Sequence, residues 1–215
     1  MRKGEQTRAL ILNEAVAFAS QVGLEGLSIG SLAERLDMSK SGLFAHFGSK
    51  EDLQVRTLRR AQELFLEQVV SPAVKQDQGL PRLRALFSNW LAWLESNEDL
   101  PGGCLMLAAS AEYDDRPGPV RDLLVAGQRE LRGAIAKAIR LAIDEGHLKP
   151  QTDPWQLTFE LFGIVLAAQH DLRLLGDARA LERAGDALER LIEAHRGFQF
   201  PQETDTIEPQ GGRLP

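Results

Sequence analysis

Apolar residues recur along this chain at three- and four-residue intervals, and nowhere do they alternate one by one with polar residues. A sheet with one wet face needs a period of two. The pattern therefore leaves packed amphipathic helices as the way to bury apolar surface. Ile11, Ala15, Phe18 and Val22 make one stripe of a first helix, which Gly23 and Gly26 end. Ser28 caps a second, with Ile29, Leu32, Ala33 and Leu36 as its stripe. After a break at Asp37-Met38, Ser39 caps a third that runs only to around Ala45. Gly48 stops it, and Ser49 caps a long fourth helix from Lys50 toward Val70, with Pro72 marking its end. Leu83, Phe87, Trp90 and Leu94 share one face of a fifth, beginning near Pro81. An apolar run from Cys104 to Ala111, a long helix from Val120 to Asp144, one from Pro154 to Leu175 behind the Asp153-Pro154 start signal, and one from Ala180 to Arg196 complete the set. The expected fold is all-α with about nine helices. The stretch 199–215 is polar, rich in proline and without periodicity, and is expected to be a disordered tail.

With 215 residues, 43% of them hydrophobic, the chain can hold a small unit and a larger one. Its single cysteine, Cys104, allows no internal disulfide and fits a reducing compartment. Met1 to Gln6 is polar with no apolar stretch behind it, and no run reaches membrane-spanning length. The expected location is cytoplasmic. The net charge is −6, an unpromising sign for a nucleic-acid ligand. Yet residues 1–60 hold nine Lys/Arg against seven Asp/Glu, so the deficit lies in the remainder.

That basic portion contains two short helices joined by a tight turn, Ser28 to Lys50. A helix as short as the one after Ser39 is marginal alone and must be held by its neighbours, as a recognition helix is in a helix-turn-helix. Leu32, Leu36, Leu43 and Phe47 can form the small core that pins it. Lys40 and Lys50 follow the caps Ser39 and Ser49. Lysine there opposes the helix dipole by about 0.3–1 kcal/mol each. The same convergence of free N–H groups and positive charge suits a DNA phosphate. With His46 on the same short helix, the arrangement favours contact with double-stranded DNA over plain solvation.

The runs Leu32-Ala33-Glu34-Arg35-Leu36 and Ser39-Lys40-Ser41-Gly42-Leu43-Phe44-Ala45-His46-Phe47-Gly48-Ser49-Lys50-Glu51-Asp52-Leu53 closely resemble the signature of the tetracycline-repressor (TetR) family of transcription regulators. The resemblance covers the first quarter of the chain at motif level, and the rest in helix number and length. It implies a helix-turn-helix DNA-binding domain over 1–50 and a helical effector-binding and dimerisation domain over 51–198. It places Lys40, Ser41 and Gly42 toward bases and Ser28, His46 and Lys50 at phosphates, with Ser39 capping the recognition helix. Two positions depart from the family pattern. Asp37 stands where the turn glycine is usual, and aspartate tolerates a left-handed backbone better than most residues. Phe44 stands where tyrosine is common. It either packs on sugar or a thymine methyl, or fills the small core.

The resemblance further implies a homodimer, an operator near-palindrome, a small-molecule effector of apolar character, no cofactor, and repression relieved by the effector. The helix from Pro154 is apolar nearly all round. One side, Leu161, Val165, Ala168 and Leu172, with Leu181, Ala184, Leu188, Leu191 and Ile192 of the last helix, is the expected dimer interface; a monomeric helical core is the alternative. Phe65, Phe87, Trp90, Trp93, Cys104, Met106, Tyr113 and His170 lie on elements that line the family's cavity and are its candidate lining, the alternative being plain core. His170 extends the face of Phe159, Phe162 and Leu166 by one turn. A catalytic reading finds little. Asp114-Asp115 sit in a loop without a motif partner, and Cys104 lacks a nucleophile's signature. A helical adaptor would leave Ser28 to Lys50 unexplained.

Overall fold

A computed structural model describes residues 3–95 and 100–197, and the side chains from Thr7 onward. The tail expected to be disordered, 199–215, lies outside the described residues. Nine helices follow one another among them: α1 (Lys3–Val22), α2 (Ile29–Arg35), α3 (Lys40–Phe47), α4 (Lys50–Phe65), α5 (Leu80–Leu94), α6 (Leu105–Glu112), α7 (Pro119–Asp144), α8 (Pro154–His170) and α9 (Ala180–Ala194). Extended pairing among these residues is confined to one bridge, Leu148 with Arg196.

Two helices run on past their regular part. The expected stop at Pro72 is not one: α4 passes through a π turn, Leu66–Val70, into a last α turn, Ser71–Val74. Proline brings no N–H and its ring collides with the carbonyl four residues back, so the wider turn just before it lets the helix continue. Similarly, α8 widens over Asp171–Leu175 until Gly176 adopts a left-handed conformation that ends it.

The first three helices form a head. Leu32, Leu43 and Phe47 are buried where α2 meets α3, with Leu36 half-buried, and Ile11, Ala15 and Val16 of α1 join them. The helix α4 starts in the head and packs on α1, α6 and α7; α7 in turn packs on α5 and α8, and α8 on α9. The larger unit is centred on Trp90. Phe87 stacks on it at 5.9 Å between ring centroids, while Phe65 and Phe162 meet it edge-on at 5.3 and 5.7 Å. The apolar cores of head and body are continuous.

Candidate nucleic-acid interface and internal cavity

Serine caps set the geometry of the head. The Ser28 hydroxyl accepts from the Ser31 N–H at 3.1 Å, and the Ser31 hydroxyl accepts from the Ser28 N–H at 3.0 Å, a reciprocal capping box. Both polar groups of Ser28 are thus engaged locally, and its first role is to shape the turn. Ser39 accepts from the Gly42 N–H at 3.1 Å, starting α3, and Ser49 accepts from the Asp52 N–H at 3.0 Å, starting α4. Between α2 and α3, Asp37 adopts φ 51°, the left-handed conformation the turn requires.

Anchored by buried Leu43 and Phe47, α3 turns Lys40, Ser41 and Phe44 to solvent, with Gly42 and His46 half-buried. Phe44 is 54% exposed, so it does not fill the small core. Lys40 pairs loosely with Glu34, at 3.7 Å, with both side chains more than two-thirds exposed. Lys50 is differently placed. Its Nζ donates to Glu25 Oε1 at 2.9 Å.

Glu25 belongs to the turn between α1 and α2, and its other oxygen accepts from the Tyr113 hydroxyl at 2.8 Å, with Arg116 at 3.6 Å. The hydrogen bonds from Lys50 and then Tyr113 hold the Glu25 carboxyl below the usual carboxylate range. Burial, and then the Glu25 carboxylate, push the Tyr113 phenol up. The neighbouring Glu112 carboxylate accepts from the Leu24 and Glu25 N–H groups at 3.0 and 2.7 Å. On the same side the Ser20 hydroxyl accepts from the buried Gly102 N–H at 2.9 Å. A Cβ on Gly102 would lie 1.7 Å from the Ser20 carbonyl oxygen, so only glycine allows this approach. The C-terminal end of α6 and the loop before it therefore grip the head. Sequence reasoning missed this joint, because its partners stand 82 to 88 residues apart with no motif between them.

A cavity of about 430 Å³ lies in the body between α4 and α7, with α5 and α6 at its inner end. Of the eight candidate lining residues, Phe65, Trp90, Cys104 and Met106 border it. The other four do not. Phe87 and Trp93 are core packed on Trp90 and Phe65. Tyr113 faces the joint with Glu25. His170 sits exposed at the end of α8, 3.1 Å from Asp171, where the helix has passed beyond the core. Burial pushes the Cys104 thiol up, keeping it neutral. Sequence reasoning did not pick out Gln62 and Gln128, the uncharged polar members of the wall; glutamine on a helix carries no pattern of its own.

The structure places the expected interface residues mostly inside the subunit. Leu161, Val165, Ala168, Ala184, Leu188 and Ile192 are buried within the subunit, and Leu172, Leu181 and Leu191 are half-buried against its core. The buried six lie where α8 packs on α7 and α9, while Leu172, Leu181 and Leu191 keep part of their surface in water. The apolar surface that α8 leaves in water is a different one: Trp155, Phe159 and Leu166, continued by Leu174. An all-round apolar helix has two faces to bury, and its sequence does not say which one its own chain covers.

Residues 79–188, just over half of the chain, match the family model described as tetracyclin repressor-like, C-terminal domain. The chain belongs to the TetR family. Residues 11–56 of this TetR-family chain match the model of bacterial regulatory proteins, tetR family. It is 26% identical over 157 residues to the HTH-type transcriptional regulator RutR of Escherichia coli O157:H7, covering 67% of this chain and 72% of that one. Its fold superposes on a TetR transcriptional regulator from Chloroflexus aurantiacus with a TM-score of 0.84 at 26% identity, covering 93% of this chain and all of the other. A transcriptional regulator from Saccharomonospora viridis in complex with choline is similar at a TM-score of 0.77 and 22% identity, over 92% of this chain and all of that one. As a TetR-family member the chain is a DNA-binding transcription regulator and not an enzyme. No helix among the described residues is long and apolar enough to cross a membrane.

Proposed function

We propose that the chain is a homodimeric repressor, held on a near-palindromic operator by α3 and released when a small, largely apolar molecule enters the cavity between α4 and α7. The observation that carries this reading is the course of α4. It begins at Lys50, beside the outward face of α3, and ends with Phe65 and Leu66 in the cavity wall. A ligand that displaces the far end of α4 moves the head. Two heads must fit two grooves at once, so a small displacement suffices. The short helix α6 runs in parallel, from Cys104 and Met106 at the cavity to Glu112 at the head. Lys40, Ser41 and Phe44 read base edges; Lys50 takes a phosphate after leaving Glu25.

The dimer is assigned to the stripe of Trp155, Phe159 and Leu166. It gathers the large apolar side chains that α8 leaves exposed, and Gly163 within it leaves open space for a close helix. The division into 1–50 and 51–198 follows the direction of these roles.

The test is to recover the DNA the protein retains from its own genome, then to measure operator affinity with and without a cavity ligand. A tenfold loss requires about 1.4 kcal/mol of coupling, and operator must weaken ligand binding by the same factor. Equal operator affinities would leave a regulator that binds DNA without an effector.

A further inference from the structure

The cavity follows two helices that run side by side. A Cβ on Gly118 would lie 3.8 Å from Glu51 Oε1, and one on Gly127 would lie 2.5 Å from Gln62 Nε2, so α4 and α7 point the same way. Gln62 and Val74 border the space at points about 18 Å apart on α4 and its extension, at 1.5 Å of rise per residue. A volume of about 430 Å³ drawn out over that length has room for a methylene chain laid lengthwise. The outer lip is apolar and bare, with Leu66 55% and Val74 54% exposed. A chain in the slot would take both out of water.

One end of the slot is basic. Arg82 stands in the first turn of α5, whose start packs on α7: a Cβ on Gly79 would lie 3.5 Å from the Cα of Ala142. Arg82 is half-buried and is the single cation among the described residues that border the cavity. A guanidinium presents two paired N–H edges. The side edge, Nε with Nη2, donates to the Gln76 carbonyl at 3.3 and 3.0 Å. The end edge, Nη1 with the other Nη2 hydrogen, has no partner among the described residues, and Arg82 joins no ion pair with them. Arg84, two residues on, is by contrast clasped by Glu189 at 2.8 Å. Of the acids at hand, Asp77 is exposed, and Glu130, the acid of the lining, is exposed and about 12 Å back along α7 from Ala138. A planar edge on a half-buried charge is matched by a carboxylate, which accepts two parallel N–H bonds and supplies the missing counter-charge.

Resting on the effector reading above, we infer that the cavity takes an alkyl carboxylate, its chain laid between α4 and α7 and its head on the free edge of Arg82. An alkyl alcohol of the same length fills the slot but leaves the cation unanswered. A quaternary ammonium brings a second positive charge to it.

Calorimetry at neutral pH with octanoate, 1-octanol and octyltrimethylammonium tests this. Octanoate should bind at least fivefold tighter than either of the others. From hexanoate to octanoate each added methylene should tighten binding about three- to fourfold, the gain from burying one CH₂. Arg82→Gln should bring octanoate level with 1-octanol, leaving 1-octanol within twofold of its wild-type affinity and the melting temperature near wild type. Arg82→Lys, which keeps the charge without the planar edge, should retain part of the preference. Glu130→Gln should change octanoate binding less than twofold. Octyltrimethylammonium binding as tightly as octanoate, an unchanged octanoate preference in Arg82→Gln, no gain from hexanoate to octanoate, or no binding by any probe would overturn the inference. Operator affinity, measured separately, keeps the two readings apart. Octanoate held through Arg82 while the operator stays bound supports the ligand class and sinks the effector role. Operator release by 1-octanol but not by octanoate does the reverse.

Discussion

The Glu25 carboxylate is shared between Lys50 on one side and Tyr113 with Arg116 on the other, so a single side chain decides where the Lys50 charge points. When Lys50 turns to a phosphate, Glu25 is left to recruit a cation. Glu25→Gln should therefore tighten binding to any DNA duplex by up to about fivefold, since exposed ion pairs of this kind are worth about 0.2–1 kcal/mol. It should also steepen the salt dependence, read in a salt titration. The depressed Glu25 pKa gives the joint a pH signature. Its stabilisation is in full force above the ordinary glutamate range and is lost as pH falls through the lowered folded-state value, because the proton then competes with Lys50 and Tyr113. Melting curves of wild type and Glu25→Gln should differ at neutral pH and converge in acid. For the DNA contacts themselves, Lys50→Ala should weaken all sequences alike and lower the salt slope by about one unit, whereas Lys40→Ala should alter discrimination among operators. Unchanged slopes and unchanged site preference in both variants would show that these roles are misassigned.

At the scale of elements, the joint between α6 and the head depends on a missing side chain. In Gly102→Ala the new carbon would run into the α1 backbone at Ser20 and Gln21, which cannot swing aside as a side chain could. Overpacking of this kind costs about 1–3 kcal/mol, several degrees of melting temperature in a protein of this size. Gly133, inside α7 with open space around it, gives the opposite sign. Gly133→Ala should stabilise by about 0.4–1 kcal/mol in a denaturant titration. These two glycines look alike in the sequence, and they mark how far it can be read. Helix starts were legible because caps are local: Ser28, Ser39, Ser49 and Asp153 each bond within their own first turn. The left-handed turn at Asp37 and the outward α3 followed from the same short-range chemistry. What a sequence does not carry is direction on a helix with no polar side to orient it. Leu161 and Phe159 are both apolar, and only the neighbours α7 and α9 decide that the first is covered and the second left bare. The cavity was half legible for a related reason, since Trp90 and Trp93 share a helix but only one reaches open space.

On the scale of the whole molecule, the same contrast tests the assembly. Phe159→Asp should leave a folded monomer with near-normal melting and greatly reduced operator affinity, seen by light scattering and a binding titration. Leu161→Asp, which buries a charge inside the subunit, should fail to fold or lose several kcal/mol. A Phe159→Asp protein that remains dimeric would place the interface elsewhere. If the bare stripe of Trp155, Phe159 and Leu166 is where two copies meet, it also sets how the regulator responds to its own supply. While free copies outnumber pairs, halving the amount of chain quarters the number of pairs, and with it the hold on a sparsely occupied site. Control of a gene then follows the square of dosage, and a modest change in synthesis or turnover acts as a sharper switch than any single protein–DNA contact could provide.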